Sequence, residues 1–277
     1  MFTNAQLARD PRFWFSSIVL GVFVICGALA PAIATFDPNM SLGRGTHSLL
    51  SPGSEFLLGT DVESRDVFSR MLYGARASLF VASASVLLSM VLGTAIGLTA
   101  GYRGGWIDSV LMRTTDLFLS IPSLILLLAA GAFLGKSQGT LIVCFAATGW
   151  MHSARMVRAE ARVLREREFI LAARGLGLSN ITIMWRHVLP HAAAPAFVAS
   201  MLGIGAVLAA EASLSFLGFG IPDPQASWGK MAQAGIDHIQ RGWWVSLFPS
   251  LAIALCVTAA TLLGDALNDA RDGGQNS

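Results

Sequence analysis

Six apolar stretches, at about residues 13–34, 77–100, 117–134, 139–156, 194–218 and 244–264, divide this 277-residue chain. Each is long enough to cross, or nearly cross, the ~30 Å hydrocarbon core of a bilayer as a helix. The fold class expected is therefore an all-α polytopic membrane protein with about six transmembrane helices. The fourth stretch is the least apolar, because His152 and Arg155 fall in it, and its end is expected to project from the membrane as a continuing helix. Composition agrees: 13% of residues are charged, against the ~25% of a soluble domain. A net charge of +2, with the arginines gathered in loops, excludes nucleic acid as a partner.

The first apolar run exceeds the ~7 to 15 residues of a signal-peptide core. It reads as an uncleaved first helix, 13–34, after a short N-terminal segment, 1–12. Residues 35–76, with Pro38, Pro52 and Gly53 as breakers, form the longest segment outside the membrane. Residues 77–264 make a core of five helices, and 265–277 a tail whose last residues, GGQNS, read as disordered. With the N-terminus cytoplasmic, the inner segments hold Arg9, Arg12, Arg103, Arg113, Arg271 and the arginines from Arg155 to Arg186. The outer segments hold fewer basic residues: Arg44, Arg65, Arg70, Arg76, Lys136, Lys230 and Arg241. This bias places both termini in the cytoplasm.

Within the second stretch Ser85, Ser89, Gly93, Gly97 and Gly101 recur at every fourth position. On a helix they form a stripe that lets another backbone approach closely, so this helix is expected inside a bundle. Cys26, Cys144 and Cys256 lie singly in apolar stretches and read as buried small hydrophobes, giving neither a disulfide framework nor a metal site. Gly131 to Ser137 resembles a phosphate-binding loop but has three residues between its glycines, where four are needed to wrap phosphates, so no nucleotide site is expected. His187 and His191 are four apart, but Pro190 lies between them and no carboxylate or thiol is adjacent, so no metal site is expected. Glu211, in the fifth stretch, has two open readings. It lines a substrate path, or it caps a helix or pairs with an arginine at the outer surface.

The polar insert from Val157 to His191 carries the strongest functional signal. Arg158, Arg162, Arg165 and Arg167 alternate with Glu160, Glu166 and Glu168, which predicts a solvated helix with internal charge pairs. Ala172 and Ala173 are small enough for another surface to come close, Gly177 is placed to end that helix, Ser179 or Asn180 to cap the next, and Pro190 to stop it. The product is a short helix-turn-helix. It either docks on a partner or lies on anionic lipid, and the pattern alone leaves both open.

The order Ala172-Ala173, three residues, Gly177, then Leu189-Pro190 resembles the EAA motif of permease subunits from binding-protein-dependent ABC importers. Leu171 stands in place of the motif Glu and His187 in place of its Ile. Glu168, one turn before Leu171, is the residue that could replace the missing carboxylate, and Arg174 lies within the same motif helix. Residues 57–79 resemble the outer signature of the dipeptide, oligopeptide and nickel branch, with Ser64 where glycine is usual. The stretches beginning at Gly101 and Glu211, and GDALNDARD near the end, are similar in kind, so the resemblance covers nearly the whole chain and is closest to the C-type permease.

The resemblance implies a type I importer permease fold in the bacterial cytoplasmic (inner) membrane. It further implies a second permease subunit as heterodimer partner, two ATPase subunits and an extracytoplasmic substrate-binding protein. The coupling residues would be Glu168, Ala172, Ala173, Arg174, Gly177, Leu189 and Pro190. ATP and Mg would be bound by the ATPases, with no cofactor and no catalytic residue in this chain. The expected cargo is a di- or oligopeptide, the alternative being nickel, a metal chelate or glutathione. A stand-alone secondary transporter would call for internal repeats and intramembrane charge pairs, neither of which is evident. A membrane enzyme would call for clustered His and carboxylates, which are missing.

Overall fold

The computed structural model describes Leu7, residues 10–43 and residues 47–273. Arg9, Arg44 and residues 274–277 of the expected tail lie outside them. Among the described residues the chain is helical apart from its outer segment and turns. Helix α1 spans Pro11–Ala28, where Asp10 accepts the N–H of Arg12 at 2.8 Å and Pro11 occupies a first-turn position that needs no donor. A single turn, α2 (Ala30–Ile33), follows. Helix α3 (Val67–Arg103) is capped by Asp66, which accepts the Ser69 N–H at 2.8 Å, and ends at Gly104, whose φ of +66° suits glycine. After it come α4 (Gly105–Leu119), α5 (Ser123–Leu134) and α6 (Gln138–Leu164), the last capped by Ser137. The polar insert forms α7 (Glu168–Gly175) and α8 (Asn180–Ile183), then a π turn, Met184–Val188, that leads into α9 (Leu189–Phe216). Helix α10 (Trp228–Ile236) precedes α11 (Ile239–Gly273), which is broken at Gly242.

Four helical segments are long and apolar enough to cross a membrane: Pro11–Ala28, Val67–Arg103, Asn180–Phe216 and Ile239–Arg271. A straight third span over 117–134 is corrected, because α4 and α5 meet at 84° across the break before Ser123, where Pro122 cannot continue α4. Together they would make a fifth crossing. The expected span 139–156 is the middle of α6, whose 27 residues give a rod of about 40 Å. It falls outside the apolar set because of the His152 and Arg155 side chains noted in the sequence.

Ion pairs define one end of the bundle. Arg12 reaches Asp269 at 2.8 Å, Arg271 reaches Glu160 at 2.9 Å, and Arg158 holds Asp108 with two hydrogen bonds of 2.5 and 2.6 Å. The start of α1, the end of α11, the start of α4 and the second half of α6 therefore share one end, hereafter the loop end, with the helical insert.

The stripe on α3 faces α6 along its length. A Cβ on Gly93 or Gly97 would press on the main-chain carbonyl of Trp150 or Ala154, and one on Gly101 would lie 2.5 Å from the Arg158 carbonyl oxygen. The two backbones are thus in contact, which is what a small-residue stripe permits in lipid. At the far end Trp228 is fully buried; its ring N–H donates to the Met71 carbonyl at 3.0 Å and its ring meets Phe23 edge-on at 5.1 Å, tying α10 to α3 and α1.

The outer segment before α3 is pinned by buried polar contacts. Asp61 accepts from the Arg65 side chain at 2.7 Å, Arg70 donates to the Pro38 carbonyl at 2.9 Å, and the Trp244 ring N–H donates to the Thr60 carbonyl at 3.1 Å. Ser64, the residue at the usual glycine position, has φ of +60°, and its buried hydroxyl lacks a partner. A left-handed non-glycine residue costs roughly 1–2 kcal/mol. Ser64→Gly is accordingly expected to stabilise the protein by about 1 kcal/mol. Thermal unfolding in detergent checks this, and an unchanged or lowered Tm would contradict the strain.

Candidate functional site: the helical insert at the loop end

Helix α7 begins one short turn after α6, with Glu168 exposed in its first turn, where a carboxylate opposes the helix dipole favourably. Ile170 and Ala173 face inward and join Leu98, Tyr102, Val157, Ala161, Ile183 and Val188 in one apolar cluster. The two motif alanines therefore part company: Ala173 packs into the chain's own core, and only Ala172 is free for another surface. This amends the expectation that both face outward, since adjacent helical positions point ~100° apart.

The turn after α7 has a defined geometry. The Gly177 N–H donates to the Arg174 carbonyl at 2.9 Å and the Leu178 N–H to the Ala173 carbonyl at 3.2 Å, with Gly177 at φ of +80°. This is the Schellman closure, which asks for glycine at that position because a Cβ is strained in the left-handed region. No atom lies within 4 Å of a Cβ built on Gly177, so the requirement is conformational rather than spatial. Ser179 then caps α8 by accepting the Thr182 N–H at 3.2 Å, as expected from the sequence.

Pro190 does not stop the helix, contrary to the sequence expectation. It sits in the first turn of α9, beside the exposed His191, while Leu189 is half-buried. Proline has no N–H to give a carbonyl four residues back, and the π turn before it, with the Leu189 N–H bonded to the Met184 carbonyl, absorbs the mismatch. The chain thus runs almost unbroken from α8 into α9, a segment long and apolar enough to cross a membrane.

Two side-chain contacts missed at the sequence level tie the insert to α3. The Tyr102 hydroxyl donates to Asn180 Oδ1 at 3.0 Å, and the Arg174 guanidinium lies 5.2 Å above the Tyr102 ring. No sequence signal links positions 78 residues apart. The charge pattern on α6 also resolves differently from the expected internal pairs. Arg155 and Arg158 pair with Asp116 and Asp108 of α4, and Glu160 with Arg271 of α11, leaving Arg165–Glu166 as the local pair. Tyr102→Phe is expected to raise amide exchange in residues 170–183 about fivefold, from one lost hydrogen bond, while Tyr102→Ala raises it much further. Equal protection in all three proteins would show that the tie carries no load.

The outward surface of the insert exposes five large apolar side chains, Leu171, Leu176, Leu178, Ile181 and Trp185, Leu176 by 83%, among charged ones that include Glu168 and Arg174. Glu211 lies at the other end of the molecule, buried in α9, accepting from Ser215 Oγ at 3.0 Å with the Ser227 and Ser78 hydroxyls also against it. It faces the first turn of α10, where a Cβ on Gly229 would come within 3.1 Å of the carboxylate. Among the described residues no group of three His, Cys, Asp or Glu side chains could hold a metal ion. His191 packs edge-on against Phe169 at 6.2 Å.

A bundle of membrane-crossing helices, closed by backbone-close packing and carrying a capped helical insert that exposes several large apolar side chains, defines a polytopic membrane protein. Residues 93–273 match the family described as binding-protein-dependent transport system inner membrane component. A putative peptide transport system permease protein of Brucella abortus is 37% identical over 98% of this chain and 91% of its own length. The dipeptide transport system permease protein DppC of Alkalihalophilus pseudofirmus is 37% identical over 96% and 87%. The glutathione transport system permease protein GsiD of Pectobacterium atrosepticum is 40% identical over 80% and 73%. Among solved structures, a chain of the inward-facing MetNI methionine ABC transporter shares the fold with a TM-score of 0.57, at 20% identity, over 73% of this chain and 95% of that one.

The chain belongs to the family of binding-protein-dependent transport system inner membrane components, and is a multi-pass ABC importer permease of the inner membrane with the type I fold, not a catalytic enzyme.

Proposed function

We propose that this chain is one of two permease subunits of an importer for di- and oligopeptides, driven by separate ATPases through the insert at the loop end. The observation that carries the coupling role is the capped helical insert, which exposes Leu171, Leu176, Leu178, Ile181 and Trp185 and is tied to α3 by Tyr102 through Asn180 of α8 and Arg174 of α7. Exposed apolar side chains on a rigid, water-facing helix are costly unless another protein covers them. In this reading the loop end is cytoplasmic, and so are both termini, whose neighbouring helix ends lie beside it. The partners are a second permease, two ATPase subunits that bind ATP and Mg, and an extracytoplasmic binding protein. Closure of the ATPases draws α7 with them, and the Tyr102 tie and the near-continuous α8–α9 helix carry the displacement into the membrane. The ATPases supply the bias between two conformations by binding them differently.

The peptide cargo follows the peptide permeases among the relatives, with glutathione, itself peptide-bonded, as the cargo of another. Uptake of labelled dialanine, tetraalanine, glutathione and nickel in cells with and without this chain tests the assignment. Loss of peptide uptake alone is expected. Retained peptide uptake with loss of nickel or glutathione uptake would transfer the assignment to that cargo.

A further inference from the structure

A cavity of about 330 Å³ lies between α3, α6 and α9, lined among others by Ser85, Ser89, His152, Ser153, Ser200 and Gly203. Each of these residues stands near the middle of its own helix, so the cavity is at mid-depth of the bundle. Two observations distinguish it from a packing defect. The first is Ser85, whose buried hydroxyl lacks a hydrogen-bond partner. Hydroxyls within membrane helices ordinarily bond the carbonyl four residues back. Thr99, Thr115, Ser213 and Thr261 all do so here, at 2.7 to 2.9 Å, whereas on α3 Ser85 and Thr94 do not, and of these two only Ser85 lines the cavity. The second is His152, which is exposed at the same depth. An ionisable ring within a stretch read as crossing the membrane is not left to lipid and faces water, solute or another subunit.

The lining has a distinct chemistry. It presents hydroxyls, one imidazole, small residues and apolar walls, with no carboxylate, lysine, arginine or thiol. A bare divalent cation needs several oxygen, nitrogen or sulfur ligands from charged or strongly donating groups, and one imidazole does not supply them. Uncharged donors and acceptors instead match the amide N–H and C=O of a peptide main chain, which every peptide carries whatever its side chains. The volume is in the range of small-molecule sites. A Cβ on Gly203 would meet Val86 at 3.4 Å, so a larger side chain there enters the cavity.

We propose that this mid-depth cavity is where the transported peptide is held inside the permease, by hydrogen bonds between its main-chain amides and Ser85, Ser89, Ser153, Ser200 and His152, the Ser200 hydroxyl acting as acceptor because it already donates to the Phe197 carbonyl. The assignment rests on the peptide-importer reading above.

The test uses the complete transporter, with the second permease and both ATPases, in proteoliposomes loaded with ATP. Ser85→Ala removes an oxygen that makes no internal bond, so folding is not at risk, and the KM for dialanine is expected to rise about five- to tenfold. Gly203→Leu, which fills the space, is expected to cut uptake at least tenfold. Wild-type KM and maximal rate in both variants would overturn the proposal. A loss confined to the maximal rate of Ser85→Ala would overturn it equally, as a structural effect. A second readout does not depend on the cargo: Ser89→Cys should react with a charged, water-soluble methanethiosulfonate reagent in the nucleotide-free or the ATP-bound state. Absence of labelling in both states would overturn the passage whatever the solute. Wild-type transporter that carries nickel but no dialanine would sink the peptide reading, while the labelling would still decide whether the cavity is on the path.

Discussion

Gly97→Val is expected to part α3 from α6 and to prevent assembly of the permease. A Cβ at this position would collide with the Ala154 carbonyl oxygen and stand 3.0 Å from both the Ala154 carbonyl carbon and the Arg158 backbone nitrogen. Backbone atoms cannot turn aside as a flexible side chain can, so one helix must move. The same seam positions Arg158 for its two bonds to Asp108, so the displacement also disturbs α4. Overpacking of this kind costs about 3 kcal/mol or more. In detergent the Tm should fall by on the order of 10 °C, and the variant should not co-purify with its partner subunits. Gly21→Ala is the control, because nothing lies within 4 Å of a Cβ there. Equal stability of Gly97→Val and wild type would mean that the helices are not in backbone contact.

Gly177→Val is expected to leave insertion and folding intact and to abolish ATP-driven transport. The strain of a β-branched residue at φ of +80° is relieved most cheaply by undoing the closure between Leu178 and Ala173. The end of α7 then frays, and Leu176 and Leu178 lose their fixed positions. Transport should drop at least tenfold, because a docking surface that must first be ordered binds more weakly, whereas Tm changes by no more than a few degrees. Gly177→Asn should retain much of the activity, since asparagine tolerates the left-handed region. Uptake and ATPase assays on the reconstituted complex separate the two, and full activity of Gly177→Val would show that the Schellman turn is dispensable.

Much of this architecture was legible from residue order. Hydrophobic run length located four of the six expected crossing segments, because lipid imposes a minimum length on any helix that spans it. The four-residue spacing from Ser85 to Gly101 identified the seam on α3, since residues four apart share a helix face. The spacing from Ala172 to Gly177, with Ser179 beyond, located the α7 turn and its cap. Reading one segment at a time hid the rest. The arginines of α6 found their carboxylates 39 and 50 residues away on α4, which a pattern of neighbours four apart cannot reveal. Pro190 was read as a stop because a π turn leaves no compositional mark. The mid-depth cavity collects side chains from three helices, and of these only Ser85 and Ser89 stood out in the sequence as members of a pattern, the packing stripe.

The pair between Arg12 and Asp269 joins positions 257 residues apart, nearly the whole chain. Both side chains are largely exposed, so the bond adds little to stability. Its consequence is one of timing. A ribosome delivers α1 to the bilayer long before α11 exists, and α1 must wait beside unfinished neighbours with Arg12 lacking that partner. An early helix is thus fastened by a late one, and a chain truncated before Asp269 would carry α1 in the membrane without this clasp at the loop end.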